Sequence, residues 1–177
     1  MLPQGSSFTT RPQLAGTFGM IATTHWLATA SGMAVLEAGG TAFDAAVAAG
    51  LVLQVVEPHM NGLGGEAPII GYGAGNADPS STGVFVLDGQ GPAPGSATLD
   101  AFGTLDLDLV PGNGLLPACV PAAFGTWMLL LGRHGRMRLR DVMQYAIGYA
   151  RDGYPMTAGV SAGIAAAEPV FRKHWPS

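Results

Sequence analysis

The sequence predicts an α+β protein, and three observations predict it. Two apolar segments of helical spacing open the chain. Two short runs rich in β-branched residues flank a turn-forming loop behind them, and further helical segments close the chain. Helices, hairpin and helices in that order suit a layered α+β architecture.

Residues 1–18 are expected as a tail or edge segment, and residues 19–177 as one incomplete domain. Met20-Ile21-Ala22-Thr23 reads as a short strand leading into the first helix. Leu27, Ala30, Ser31, Ala34, Val35 and Ala38 recur at helical spacing, with Thr24 or His25 as the start. Gly39 and Gly40 end that helix, because glycine accepts the left-handed backbone of a helix C-terminus. Thr41 then takes the N-cap position of a second helix, and Asp44 completes a capping box. From Ala45 to Val56 only Gln54 is polar, so this helix is expected to be buried on nearly every side. Pro58 stops it by restricting Glu57 and offering no donor.

Asn61-Gly62-Leu63-Gly64-Gly65 lets backbone pass close to a neighbour. It reads either as a loop bordering a substrate pocket or as a tight turn into the next strand. It is not a phosphate cradle, since no Gly-Lys-Ser/Thr follows. Ala67–Tyr72 and Val84–Asp88 are expected as paired strands across the loop Gly73–Gly83. Gly89–Ala97 is irregular, Leu99–Phe102 a short helix, and the stretch to Gly114 flexible. Val120–Leu131 is expected as a helix with Pro121 in its first turn. Leu139–Arg151 follows, with Val142, Ala146 and Tyr149 on one face and Asp152-Gly153 at its end. The last helix is expected over Ala158–His174.

Charged residues make up only 11% of the 177, while 48% are hydrophobic. A typical soluble domain carries roughly 25% charged residues. The shortage points either to a membrane or to surface covered by other protein. No apolar run reaches the roughly 20 residues a bilayer takes, so the covered reading is preferred. Arg133, His134, Arg136, Arg138 and Arg140 form a short basic cluster without interleaved aromatics, which argues against nucleic-acid binding and reads as a solvated loop. Cys119 is the only cysteine, so no intrachain disulfide exists, and it reads as an inert buried thiol. Glu57 and His59 lack a third ligand, and Asp106 and Asp108 read as an alternating exposed edge; no metal or cofactor is expected. Met1–Gln13 shows no charged segment followed by an apolar core, which makes the cytoplasm the expected compartment, with the periplasm or secretion left open.

The run Gly39-Gly40-Thr41-Ala42-Phe43-Asp44-Ala45-Ala46-Val47-Ala48, then Glu57-Pro58 and Gly62–Gly65, resembles the front of the γ-glutamyltranspeptidase family of N-terminal-nucleophile hydrolases. Tyr149-Ala150-Arg151-Asp152-Gly153-Tyr154-Pro155 resembles a later segment of the same family. The resemblance implies a four-layer αββα sandwich made from a self-cleaving precursor. The nucleophile would be the new N-terminal threonine of the small subunit, beyond Ser177. On that reading the complete enzyme hydrolyses or transfers the γ-glutamyl group of glutathione-like amides, this chain holds no catalytic residue, and its partners are the remainder of the precursor and a small-molecule amide. Thr23-Thr24-His25 looks like the family's nucleophile segment, but it precedes the first helix and reads as structural.

The family carries Asp-x-Arg-Glu-x-Ala-Pro after its second strand, where the arginine grips the α-carboxylate of the γ-glutamyl group. The match here is Asp88-Gly89-Gln90-Gly91-Pro92-Ala93-Pro94. Gln90 and Gly91 are therefore the candidate substrate-binding residues, and glutamine brings no charge. Losing a charge-assisted hydrogen bond costs about 1.5–3 kcal/mol, which implies a weakened or altered glutamyl preference. Other members of the superfamily cleave acyl-cephalosporins or oxamate. A non-catalytic binding module and a plain structural fragment are the competing readings.

Overall fold

The computed structural model describes residues 13–74, 82–112 and 114–174. Most of the expected tail and the middle of the expected loop Gly73–Gly83 lie outside the described residues. The first helix, α1 (Trp26–Glu37), starts at His25, whose ring Nδ1 accepts a hydrogen bond from the Leu27 amide at 3.2 Å. It ends at Ala38, and Gly39 follows at φ +88°. The buried side of α1 is formed by Leu27, Ala28, Ser31, Gly32 and Val35, whereas Ala30 and Ala38 face outward.

The second helix, α2 (Ala42–Val56), carries the expected capping box: Thr41 Oγ1 accepts from the Asp44 amide, and the Asp44 carboxylate accepts from the Thr41 amide at 2.7 Å. Val47, Val52 and Val56 are fully buried, each contributing about 1.5 kcal/mol or more. The burial is less complete than the sequence suggests. Within Ala45–Val56, Ala46 is exposed, and Leu53, Gln54 and Val55 are only half-buried. That open side of α2 is one wall of a cavity.

A hairpin follows, β1 (Ile69–Ala74) and β2 (Thr82–Leu87), antiparallel with Ile70 opposite Val86 and Tyr72 opposite Val84. Its inner face is held by aromatic contacts: Phe85 lies 5.7 Å from Phe43 of α2 and stacks on His134 at 4.2 Å. Then come α3 (Leu99–Gly103), α4 (Ala123–His134), α5 (Leu139–Asp152) and α6 (Ala158–His174). The core lies where α1, α4 and α5 pack on α2, with Val35, Leu130, Val142 and Ala146 around it. Leu87 brings the end of β2 into the same cluster.

Four expectations need correction. Met20–Thr23 forms no strand, because none of the described residues pairs with its backbone. Instead Thr23 Oγ1 donates to the His25 carbonyl at 2.7 Å and turns the chain into α1. α4 begins at Ala123, so Pro121 precedes the helix instead of occupying its first turn. Tertiary bonds hold residues 120–122 out of the helix: the Val120 amide donates to the Pro92 carbonyl, and the Ala122 amide to Gly65. Cys119 is exposed, not buried, since the stretch around it runs over the surface. In the basic cluster the arginines are exposed as expected, but His134 is half-buried in the aromatic stack. Arg138 pairs with Asp141 at 2.7 Å, and that hydrogen bond holds the Asp141 carboxyl below its usual value.

Candidate functional site

The segment after β2 is clamped on both sides. The Gly89 carbonyl accepts from the Ala67 amide at 3.0 Å, and the Pro92 carbonyl accepts from the Val120 amide at 3.0 Å. The approach is close enough to exclude side chains. A Cβ on Gly89 would run into the Ala67 carbonyl, and one on Gly91 into the Val120 carbonyl oxygen. Glycine is required at both positions for that reason. The glycine-rich loop is tied to the same region, since the Gly65 carbonyl accepts from the amides of Ala122 and Ala123 at 3.2 and 2.9 Å. Three segments, 65–67, 89–92 and 120–123, thus hold one another through backbone.

Gln90 projects from this clamp into solvent. Its backbone amide donates to Asp88 Oδ1 at 3.3 Å, and its side-chain Nε2 donates to Glu66 Oε2 at 3.2 Å. Gly91 is buried, so its packing against Val120 accounts for the residue at that position. Glu66 escaped the sequence reading. The signal that marks it is a lone acid in an otherwise uncharged stretch from Gly62 to Tyr72.

Glu66 also borders an open cavity of about 890 Å³. Its other walls are the extended segment Met20–Thr24, the open side of α2 at Ala46 and Leu53, and Trp127. The lining is mostly apolar, yet Gln54 Oε1, Asn61 Oδ1 and Trp127 Nε1 are buried there with no hydrogen-bond partner among the described residues. At the rim Thr24 Oγ1 donates to the Glu57 carboxylate, so Thr24 is held by a side-chain contact while His25 caps α1. His59 lines the same cavity and lies beside Gly163 of α6. Asn61 Nδ2 donates to the Glu57 carbonyl at 3.0 Å and folds the loop back on the end of α2. The glycine loop is therefore a turn, closed from Gly65 to Gly62 at 2.9 Å, and of its residues 61–65 Asn61 alone is among those lining the cavity.

Among the described residues, no group of three His, Cys, Asp or Glu side chains is arranged to hold a metal ion, and no helix is long and apolar enough to cross a membrane.

The fold of helices packed beside a small antiparallel hairpin is similar to that of the solved Helicobacter pylori gamma-glutamyltranspeptidase, at 28% identity and a TM-score of 0.83 over 93% of this chain and 46% of that one. The family model for gamma-glutamyltranspeptidase matches residues 28–177, and the chain belongs to that family. It is 35% identical over 144 residues to the glutathione hydrolase-like YwrD proenzyme of Bacillus subtilis (strain 168), covering 81% of this chain and 26% of that protein. It is 50% identical to the solved structure of LmbA2991HD, with a TM-score of 0.86 over 96% of this chain and 28% of that one. The cephalosporin acylase from Bacillus halodurans matches at 33% identity and a TM-score of 0.83, over 98% of this chain and 31% of that one. The family is one of enzymes, and the chain spans about a quarter of the length of the curated relatives it matches.

Proposed function

We propose that this chain is the front of the large subunit of a γ-glutamyltranspeptidase-like amidohydrolase. The complete precursor would fold as a four-layer αββα sandwich and cleave itself. Its small subunit would then begin with the threonine nucleophile. In such an enzyme the threonine Oγ attacks the substrate amide carbon, and its own α-amine takes the hydroxyl proton. Backbone amides hold the oxyanion, and the proton passes to the departing amine. Water, or an acceptor amine, then displaces the acyl group from the threonine ester and regenerates the hydroxyl.

The observation that carries this reading is the family match over residues 28–177. That span contains the clamped loop with Gln90, which the resemblance sets at the position of the family's arginine. The chain's own contribution would be the wall of the substrate site and the scaffold beneath it, with the rest of the precursor as its partner. The acyl group is the open variable. Gln90 in place of an arginine favours a preference other than γ-glutamyl, and the relatives include an acylase as well as a glutathione hydrolase-like protein.

Expression of the complete coding sequence tests the reading. Electrophoresis and N-terminal sequencing should find two subunits, the smaller one starting with threonine. Replacing that threonine by alanine should leave an uncut precursor without amidase activity. An uncut, inactive native precursor would refute the reading.

A further inference from the structure

We infer that Glu66 is a specificity-determining residue, and that Glu66 with Gln90 selects acyl groups bearing an ammonium or another hydrogen-bond donor and no α-carboxylate. The inference rests on the proposed function, since it names the substrate class of that site.

The Gln90 side-chain amide can donate to a carboxylate, and it already donates to Glu66 at 3.2 Å. Asp88 takes the Gln90 backbone amide from the other side. Two carboxylates therefore flank the glutamine, and among the described residues neither forms an ion pair. A substrate carboxylate brought to Gln90 would meet two like charges that no cation among the described residues pairs with, which disfavours it. An ammonium at the same place would meet acceptors on both sides, a charge-assisted arrangement. Glu66 is one of the residues that line the cavity, so it stands beside space that a substrate can fill. The glycine clamp holds the Gln90 backbone in place, so rejection of the carboxylate need not depend on an induced rearrangement.

A second consequence separates this inference from a simple loss of the family's arginine. In a Gln90→Arg variant the new guanidinium would sit beside Glu66 and pair with it. Its charge would then be neutralised within the protein, and little affinity for a γ-glutamyl carboxylate would follow. Carboxylate binding requires Glu66→Gln as well.

The test uses the self-processed full-length enzyme and two anilides that differ only in the α-carboxylate, 4-aminobutyryl and γ-L-glutamyl p-nitroanilide. The native enzyme should favour the aminobutyryl compound in kcat/KM by roughly tenfold or more. Glu66→Gln should erase most of that preference, chiefly through KM. The double variant Glu66→Gln with Gln90→Arg should gain γ-glutamyl hydrolysis beyond the product of the two single effects. The extent of self-cleavage in each variant reports whether it has folded. An unchanged ratio in Glu66→Gln, in an enzyme that still processes itself and cleaves either anilide, overturns the inference and leaves the proposed function standing. A processed enzyme that cleaves neither anilide also overturns it. A native precursor that never cleaves itself removes the proposed function, and this inference with it.

Discussion

The Asp44 carboxylate joins two distant parts of the chain. It is fully buried and accepts hydrogen bonds from the Thr41 amide and hydroxyl at 2.7 and 2.8 Å. It also accepts from the amides of Arg136 at 3.0 Å and Met137 at 3.1 Å, in the turn between α4 and α5. One side chain thus caps α2 and anchors the turn that sets α5 against it. Asp44→Ala would leave those buried amides without partners and open a gap. Its expected cost is about 3 kcal/mol or more. Asp44→Asn keeps the shape but points an amide donor at amide donors, so it should recover only part of the loss. Urea unfolding followed by circular dichroism measures both. A midpoint unchanged in Asp44→Ala would show that the network carries no net stability. The cap was legible from Thr41 and Asp44 at their spacing, because a capping box is local. The two bonds to residues 136 and 137 were not, since nothing in a sequence announces a contact more than 90 positions away.

At the scale of elements, legibility follows the same division. Helices α2, α5 and α6 and the hairpin emerge close to their expected limits, because periodicity, caps and turn formers act within a few residues. Met20–Thr23 fails as a strand because strands need a neighbour, and propensity alone cannot supply one. Pro121 misleads because tertiary backbone bonds at Val120 and Ala122 outweigh its preference for a helix start. The candidate site was half legible. Gln90 was named as a candidate from the motif it resembles, while Glu66 and the clamp appear only when three loops meet. The clamp itself is testable. Gly91→Ala places a methyl group against the Val120 carbonyl, and backbone cannot yield as a flexible side chain can. The expected loss is about 2 kcal/mol or more, with the 89–92 loop displaced. Gly95→Ala is the control, because nothing lies within 4 Å of its added Cβ. Equal midpoints for the two variants would mean that the close approach is not a constraint.

The whole molecule is distinguished by the apolar surface it leaves uncovered. Ile70 and Val86 face each other across the hairpin at 76% and 67% exposure, and Tyr72 and Val84 at 64% and 70%. Residues at these alternating positions lie on one face of a sheet. The opposite face, with Phe85 and Leu87, packs into the core. The hairpin is therefore apolar on both sides, a pattern that suits a sheet covered twice. The low charge content agrees with it, as too few charged side chains are present to keep such a surface in water unaided. The isolated polypeptide is accordingly expected to self-associate at micromolar concentration and to bind a hydrophobic dye. Ile70→Thr combined with Val86→Thr keeps β-branched residues in register, so the hairpin should survive while its outer face becomes polar. Sedimentation of the double variant should shift toward the monomer, and dye fluorescence should fall. The same substitutions in the complete precursor are expected to impair assembly instead, because there the face would lose a partner. Improved behaviour of the isolated chain and unimpaired assembly of the precursor would together show that this face is merely exposed.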